Sequence, residues 1–156
     1  MIRIYFDSCV YNRPFDDSHK SERIFIEAMA FYTLLHLIED GQIGLVSSDA
    51  LLYENEQIAD IERKRRVRSY LNRAIGFVEL SDGIVERAKI IEGFGFKSLD
   101  ALHISMAEHG ASEYFVTCDD AIIKKAKAVQ NKLKVRIYGV LEFLLEVLYA
   151  KNIERN

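Results

Sequence analysis

Five short runs rich in β-branched and aromatic residues punctuate the chain, and each consecutive pair is separated by a segment long enough for at least one helix. The runs are Ile2-Arg3-Ile4-Tyr5-Phe6, Ile43-Gly44-Leu45-Val46, Gly76-Phe77-Val78-Glu79-Leu80, Tyr114-Phe115-Val116-Thr117 and Val135-Arg136-Ile137-Tyr138. Strands that alternate with helices pair in parallel, and a parallel sheet is covered by helices on both faces. The alternation therefore predicts an α/β/α sandwich. After the first strand comes a polar stretch with the only proline, Asn12-Arg13-Pro14. A helix is expected from Ser18 to Asp40, where Ile24, Phe25, Ala28, Phe31, Tyr32, Leu35 and Ile38 recur at steps of three and four. Ser18 can cap it and Gly41 can stop it. Ser47 or Ser48 can cap the next helix, which carries Leu51, Leu52 and Glu54 and continues or restarts through Tyr70. Further helices are expected from Ser81 or Asp82 to Glu92, from Ser98 to His109, from Asp119-Asp120 to Val129 and from Leu141 to Ala150. With no internal repeat or linker, the 156 residues form one domain.

Composition excludes several classes. Twenty-one basic and twenty-four acidic side chains leave a net charge of −3, so the chain as a whole is not a basic nucleic-acid-binding body. The best apolar stretch, Ala28 to Ile38, is too short to span a bilayer and holds Thr33 and His36, so no membrane association is expected. Cys9 and Cys118 are too few for a disulfide framework and read as two buried reduced thiols in a cytoplasmic protein. No G-x-G-x-x-G follows the first strand and no P-loop occurs, which removes dinucleotide and P-loop chemistry. Asp7-Ser8-Cys9 lacks the second acid of an aspartyl phosphatase, and a receiver domain leaves a helical Asp100 unexplained.

The chemistry lies in four carboxylates. Asp7 ends the first strand, Glu54 follows the second, Asp100 opens the helix before the fourth, and Asp119 lies just beyond the fourth. Ligands of open parallel sheets bind at the carboxyl ends of the strands, where strand order reverses. If the first and fourth strands are neighbours there, Asp7 and Asp119 meet at the mouth, and Glu54 and Asp100 can reach it. Crowded carboxylates raise one another's pKa, and a cation removes that penalty. Oxygen-only ligands suit Mg²⁺ or Mn²⁺. Such an ion activates water and stabilises a departing oxygen, which is the chemistry of phosphodiester hydrolysis. Each acid also has a plain structural role available: a turn for Asp7, a helix N-terminus for Asp100, a cap for Asp119 or Asp120, and solvent for Glu54.

Ile4-Tyr5-Phe6-Asp7-Ser8-Cys9, Val46-Ser47-Ser48 with Glu54, Leu99-Asp100-Ala101-Leu102-His103-Ile104 and Phe115-Val116-Thr117-Cys118-Asp119 resemble the successive motifs of PIN domains, over residues 1 to about 138. The resemblance implies a five-stranded parallel sheet of order 3-2-1-4-5 and Mg²⁺- or Mn²⁺-dependent ribonuclease activity. It often goes with VapC-type toxins restrained by an antitoxin, and it implies a homodimer. It places the four family acids, catalytic and metal-binding, on Asp7, Glu54, Asp100 and Asp119. Thr117 falls on a polar position that supports the last of them. The segment from Tyr11 to Asp17 departs from the simpler one of many toxin members. Asp119 is preferred to Asp120 on the Thr-x-Asp spacing, with Asp120 expected to cap the helix. Glu56, the rival of Glu54, lies about 200° around the helix from it.

The stretch Arg63, Lys64, Arg65, Arg66, Arg68 and Arg73 is either a solvated helix face or a phosphate-contacting arm. Arg65, Arg66 and Arg68, with Arg13, are the candidate substrate-binding residues. His103, three positions after Asp100, is expected to be packed or hydrogen-bonded. The expected function is a metal-dependent ribonuclease; the alternative is a catalytically silent PIN-like module that binds RNA or a protein partner.

Overall fold

A computed structural model describes residues 1–149. Five parallel strands form one sheet in the order β3-β2-β1-β4-β5, as expected. They are β1 (Ile2–Phe6), β2 (Ile43–Ser48), β3 (Gly76–Val78), β4 (Tyr114–Thr117) and β5 (Arg136–Gly139). Every residue of β2 and β4 is buried, the signature of strands covered on both faces. Successive strands run outward from β1 in both directions, so the order reverses between β1 and β4. Their register pairs Phe6 with Val116, which puts the residues following both strands side by side.

The flanking helices are α1 (Ser8–Asn12), α2 (Glu22–Glu39), α3 (Asp49–Glu56), α4 (Ile61–Leu71), α5 (Asp82–Glu92), α6 (Ser98–His109), α7 (Asp120–Val129) and a short α8 (Val140–Glu142). α8 runs into a π-helical turn, Phe143–Tyr149, where a continuous α-helix was expected; Ala150 lies outside the described residues. α6 closes on the sheet at Gly110, where a Cβ would lie 2.8 Å from both Val46 and Val78, so only glycine fits.

Several expectations are corrected. Ser8–Asn12 is a helix, and Arg13–Phe15 is a 3₁₀ turn with Pro14 in its opening positions, rather than an irregular polar stretch. α2 begins at Glu22 with Ser21 as its cap, because Asp17 accepts the His19 N–H and folds residues 17–20 into a turn. Its buried face is Glu27, Ala30, Phe31, Leu34, Leu35 and Ile38, whereas Phe25 and Tyr32 of the expected stripe are exposed. β3 ends at Val78, two residues early, with the Leu80 N–H turned to Asp49 Oδ2. β5 is shifted one residue toward the C-terminus of its expected span. Of the two courses expected after β2, the helix takes the second and restarts as α4, capped by Asp60.

Beneath the carboxyl end of β1 lies an aromatic cluster. Phe31 of α2 packs 5.9 Å from Phe6, 6.2 Å from Tyr11 and 5.2 Å from Tyr70, ring centre to ring centre. These four rings join β1, α1, α2 and α4 and fix the place where the chain leaves the sheet.

Candidate active site

Asp7 is the first residue beyond β1, and its N–H extends the ladder to the Val116 carbonyl at 2.9 Å. One carboxylate oxygen accepts the Ser8 N–H at 2.8 Å and so caps α1. The other accepts the Thr117 hydroxyl at 2.8 Å and faces the Cys9 thiol at 3.4 Å. Thr117 Oγ1 in turn accepts the Asp119 N–H at 3.1 Å. A single buried hydroxyl thus ties the acid after β1 to the backbone of the acid after β4.

The capping expectation is corrected at the start of α7. Asp119, not Asp120, is the N-cap, and it accepts the Ala121 N–H at 2.9 Å. Asp120 is instead held by the Arg23 guanidinium at 2.6 and 2.8 Å, which lowers its pKa. The side chain after Thr-x that remains beside the sheet mouth is therefore Asp119.

Asp100 lies in the first turn of α6, half-buried. Burial, then the charges of Asp7 and Asp119, raise its pKa. These three acids therefore share one negative field, although they come from three separated stretches of sequence. An acid with a raised folded-state pKa favours the fold below its unfolded value, and that contribution is lost as pH rises through the folded one. The ionised Asp100 carboxylate is therefore a burden at neutral pH. Asp100→Asn is expected to raise the melting temperature at pH 7 in EDTA and to change nothing near pH 3. An unchanged or lower melting temperature at pH 7 contradicts the shared field.

Glu54 on α3 behaves in the opposite way. Burial opposes its ionisation, but hydrogen bonds from His103 and Ser8 and the His103 charge outweigh it and lower the pKa. Its stabilising contribution is present above the unfolded pKa and is lost as pH falls through the folded value. Glu54 Oε1 meets His103 Nε2, and His103 Nδ1 meets the Tyr5 hydroxyl at 2.6 Å. His103 is thus hydrogen-bonded in the core, as expected, at 1% exposure. The parts played by Tyr5 and Ser8 have no signal in the sequence, since one reads as a core strand residue and the other as a turn.

Among the described residues, no three His, Cys, Asp or Glu side chains are gathered tightly enough to hold a metal ion as they stand. The chemistry of the donors nonetheless fits one. All four are carboxylates, three of them share a field that a cation relieves, and Asp7 is already oriented by three donors. A hard, oxygen-seeking ion such as Mg²⁺ or Mn²⁺ matches this set.

The basic residues are placed unequally. Arg13 lies between Asp16 and Glu27, at 3.2 and 3.0 Å, with its side chain 17% exposed. Arg65 pairs with Glu62 and Arg68 with Glu56, while Arg66 lies over the Phe15 ring at 5.2 Å. Arg63, held by Asn12 and Asp16, borders an open cavity of about 420 Å³ together with Ser8, Glu54 and Gln57. Arg63 and Glu54 thus border the same cavity. Both cysteines are free, with Cys118 buried and Cys9 only partly so; the Cys118 N–H points at Cys9 Sγ at 3.2 Å.

Comparison with known proteins bears on this geometry. The family model of the PIN domain matches residues 4–128. No curated protein matches the chain. A chain in the crystal structure of VapBC2 from Rickettsia felis, bound to a DNA fragment from their promoter, has the same fold. Its TM-score is 0.55 at 15% identity, covering 88% of this chain and 98% of that one.

Proposed function

The chain belongs to the PIN-domain family, and from that premise we propose that it is a Mg²⁺- or Mn²⁺-dependent ribonuclease whose site is formed by Asp7, Glu54, Asp100 and Asp119. The observation that carries this reading is the field shared by Asp7, Asp100 and Asp119 at the strand-order reversal. A bound divalent ion supplies an activated water and stabilises the departing oxygen of the phosphodiester. The protein's part is orientation. Thr117 and Ser8 fix the Asp7 carboxylate, α7 fixes Asp119 at its own N-terminus, and the start of α6 presents Asp100.

RNA phosphates meet Arg65, Arg66 and Arg68 in this reading, and Arg63 stands beside Glu54, whereas Arg13 serves as a strut between Asp16 and Glu27. In this reading the chain is a toxin paired with an antitoxin and acts as a homodimer in the cytoplasm; the likeness to a VapBC2 chain supports the antitoxin pairing alone. No helix of the described residues is long and apolar enough to cross a membrane.

The test is cleavage of single-stranded RNA with Mn²⁺ and again with EDTA. Cleavage should require the metal. Asp119→Asn should abolish it, whereas Asp120→Asn, which breaks only a surface ion pair with Arg23, should cleave as wild type. Equal activity of the two variants removes Asp119 from the site.

A further inference from the structure

Four side chains form one unbroken chain of hydrogen bonds, buried except at Glu54. Ser48 Oγ lies 2.7 Å from the Tyr5 hydroxyl, Tyr5 lies 2.6 Å from His103 Nδ1, and His103 Nε2 meets Glu54. Tyr5 and Ser48 have no exposure, and Ser48 Oγ also accepts the Leu51 N–H at 3.2 Å, which caps α3. The chain therefore starts at Ser48, the last residue of β2 and the cap of α3, passes through β1 and α6, and ends on α3 at Glu54.

Proton accounting fixes its Glu54 end. An ionised Glu54 can only accept, so His103 Nε2 carries a proton and donates. A bare Nδ1 accepts from the Tyr5 hydroxyl, which then accepts from Ser48, whereas a protonated Nδ1 donates to Tyr5, which then donates to Ser48. In either state Nε2 is the donor to Glu54.

The same helix carries Asp100 one turn before His103. Glu54 is thereby linked, through its bond to His103, to the helix that carries Asp100. Glu54 Oε1 meets His103 Nε2, and Ser8 also bonds this carboxylate.

We propose that His103, oriented by Tyr5 and Ser48, is the positioning residue that holds Glu54 at a fixed distance from Asp100 for divalent-cation binding. This rests on the ribonuclease reading above and adds to it the device that sets the second acid. His103 touches neither substrate nor ion. Its effect passes through the carboxylate, in the way that outer hydrogen bonds orient ligands elsewhere.

The experiment pairs two readouts on the full chain. The first is the ¹⁵N spectrum of the imidazole of His103 in the protein without added metal. The expected signature is a proton on Nε2, and a ring protonated at Nδ1 with bare Nε2 overturns the proposal. The second is Mn²⁺ affinity by calorimetric titration for wild type, His103→Leu, His103→Gln, Tyr5→Phe and Glu54→Gln. His103→Leu cannot donate and should lose about 10–100-fold in affinity, the usual cost of an outer-shell group. His103→Gln keeps an N–H at the Nε2 position and should recover most of that loss, which a purely space-filling role would not produce. Tyr5→Phe keeps the ring stacked on Phe115 and should lose affinity in the same direction, so the test survives if His103→Leu does not fold. Wild-type affinity in both Tyr5→Phe and a folded His103→Leu overturns the positioning role while leaving the ribonuclease reading standing. A wild-type chain that takes up no Mn²⁺ overturns both, and the two failures are thus told apart.

Discussion

Asp7→Asn is expected to abolish metal-dependent RNA cleavage while leaving the fold intact. Loss of an outer-shell partner costs ~10–100-fold, so loss of a carboxylate ligand itself should cost at least about a hundredfold. Asparagine is as good a helix cap as aspartate, so its Oδ1 can still accept the Ser8 N–H at the start of α1. Its Nδ2 would face Thr117 Oγ1, which has a lone pair to accept it and whose own proton can turn toward Cys9 Sγ at 3.4 Å. Stability should therefore change by no more than about 1 kcal/mol, the scale of one exchanged hydrogen bond. Rates of RNA cleavage with Mn²⁺, beside urea unfolding of both proteins, separate the two effects. A variant that cleaves normally removes Asp7 from the site. One that loses several kcal/mol of stability makes Asp7 chiefly a helix cap.

The largest expected effect on stability is at Phe31. Its ring is fully buried against Phe6, Tyr11 and Tyr70, so Phe31→Ala removes contacts to β1, α1 and α4 together. Truncations of this kind cost about 3–5 kcal/mol, a large share of the roughly 5–15 kcal/mol that holds a domain together. At about 2–4 °C per kcal/mol for a chain of this size, the melting temperature should fall by roughly 6–20 °C. Tyr70→Ala in the same background should cost less than it does alone, because the two rings share one contact. A loss below about 1 kcal/mol at Phe31 would mean that α2 is not seated on this cluster. The cluster bears on the site as well, since Phe6 directly precedes Asp7. Loosening it should lower Mn²⁺ affinity along with stability.

The two acids with displaced titrations give the site opposite responses to pH. Glu54 is held ionised by its donors, whereas Asp100 is pushed toward protonation by burial and by Asp7 and Asp119. Ion binding requires both to be charged, so metal affinity should rise with pH through the raised Asp100 value, with Glu54 already charged below it.

The alternation of strand and helix runs determined the α/β/α class, and the acids at the strand ends marked the candidate site. Both are legible because burial on two faces demands a near-continuous apolar strand, and because ligand sites collect where parallel strands end. The family motifs carried the strand order. Tertiary packing alone decided which face of α2 turns inward. That helix has apolar residues nearly all round, and Glu27 is drawn inside by Arg13 and Arg23 rather than by its own periodicity. Packing also decided the cap of α7, because Asp120 is drawn to Arg23, 97 residues away, and no local pattern reveals that pair. The same holds for the link from Ser48 to Glu54 through Tyr5 and His103, whose members lie 43, 98 and 49 residues apart. Hydrogen bonds act over ångströms in space, and sequence spacing reports such proximity only within a single helix or strand.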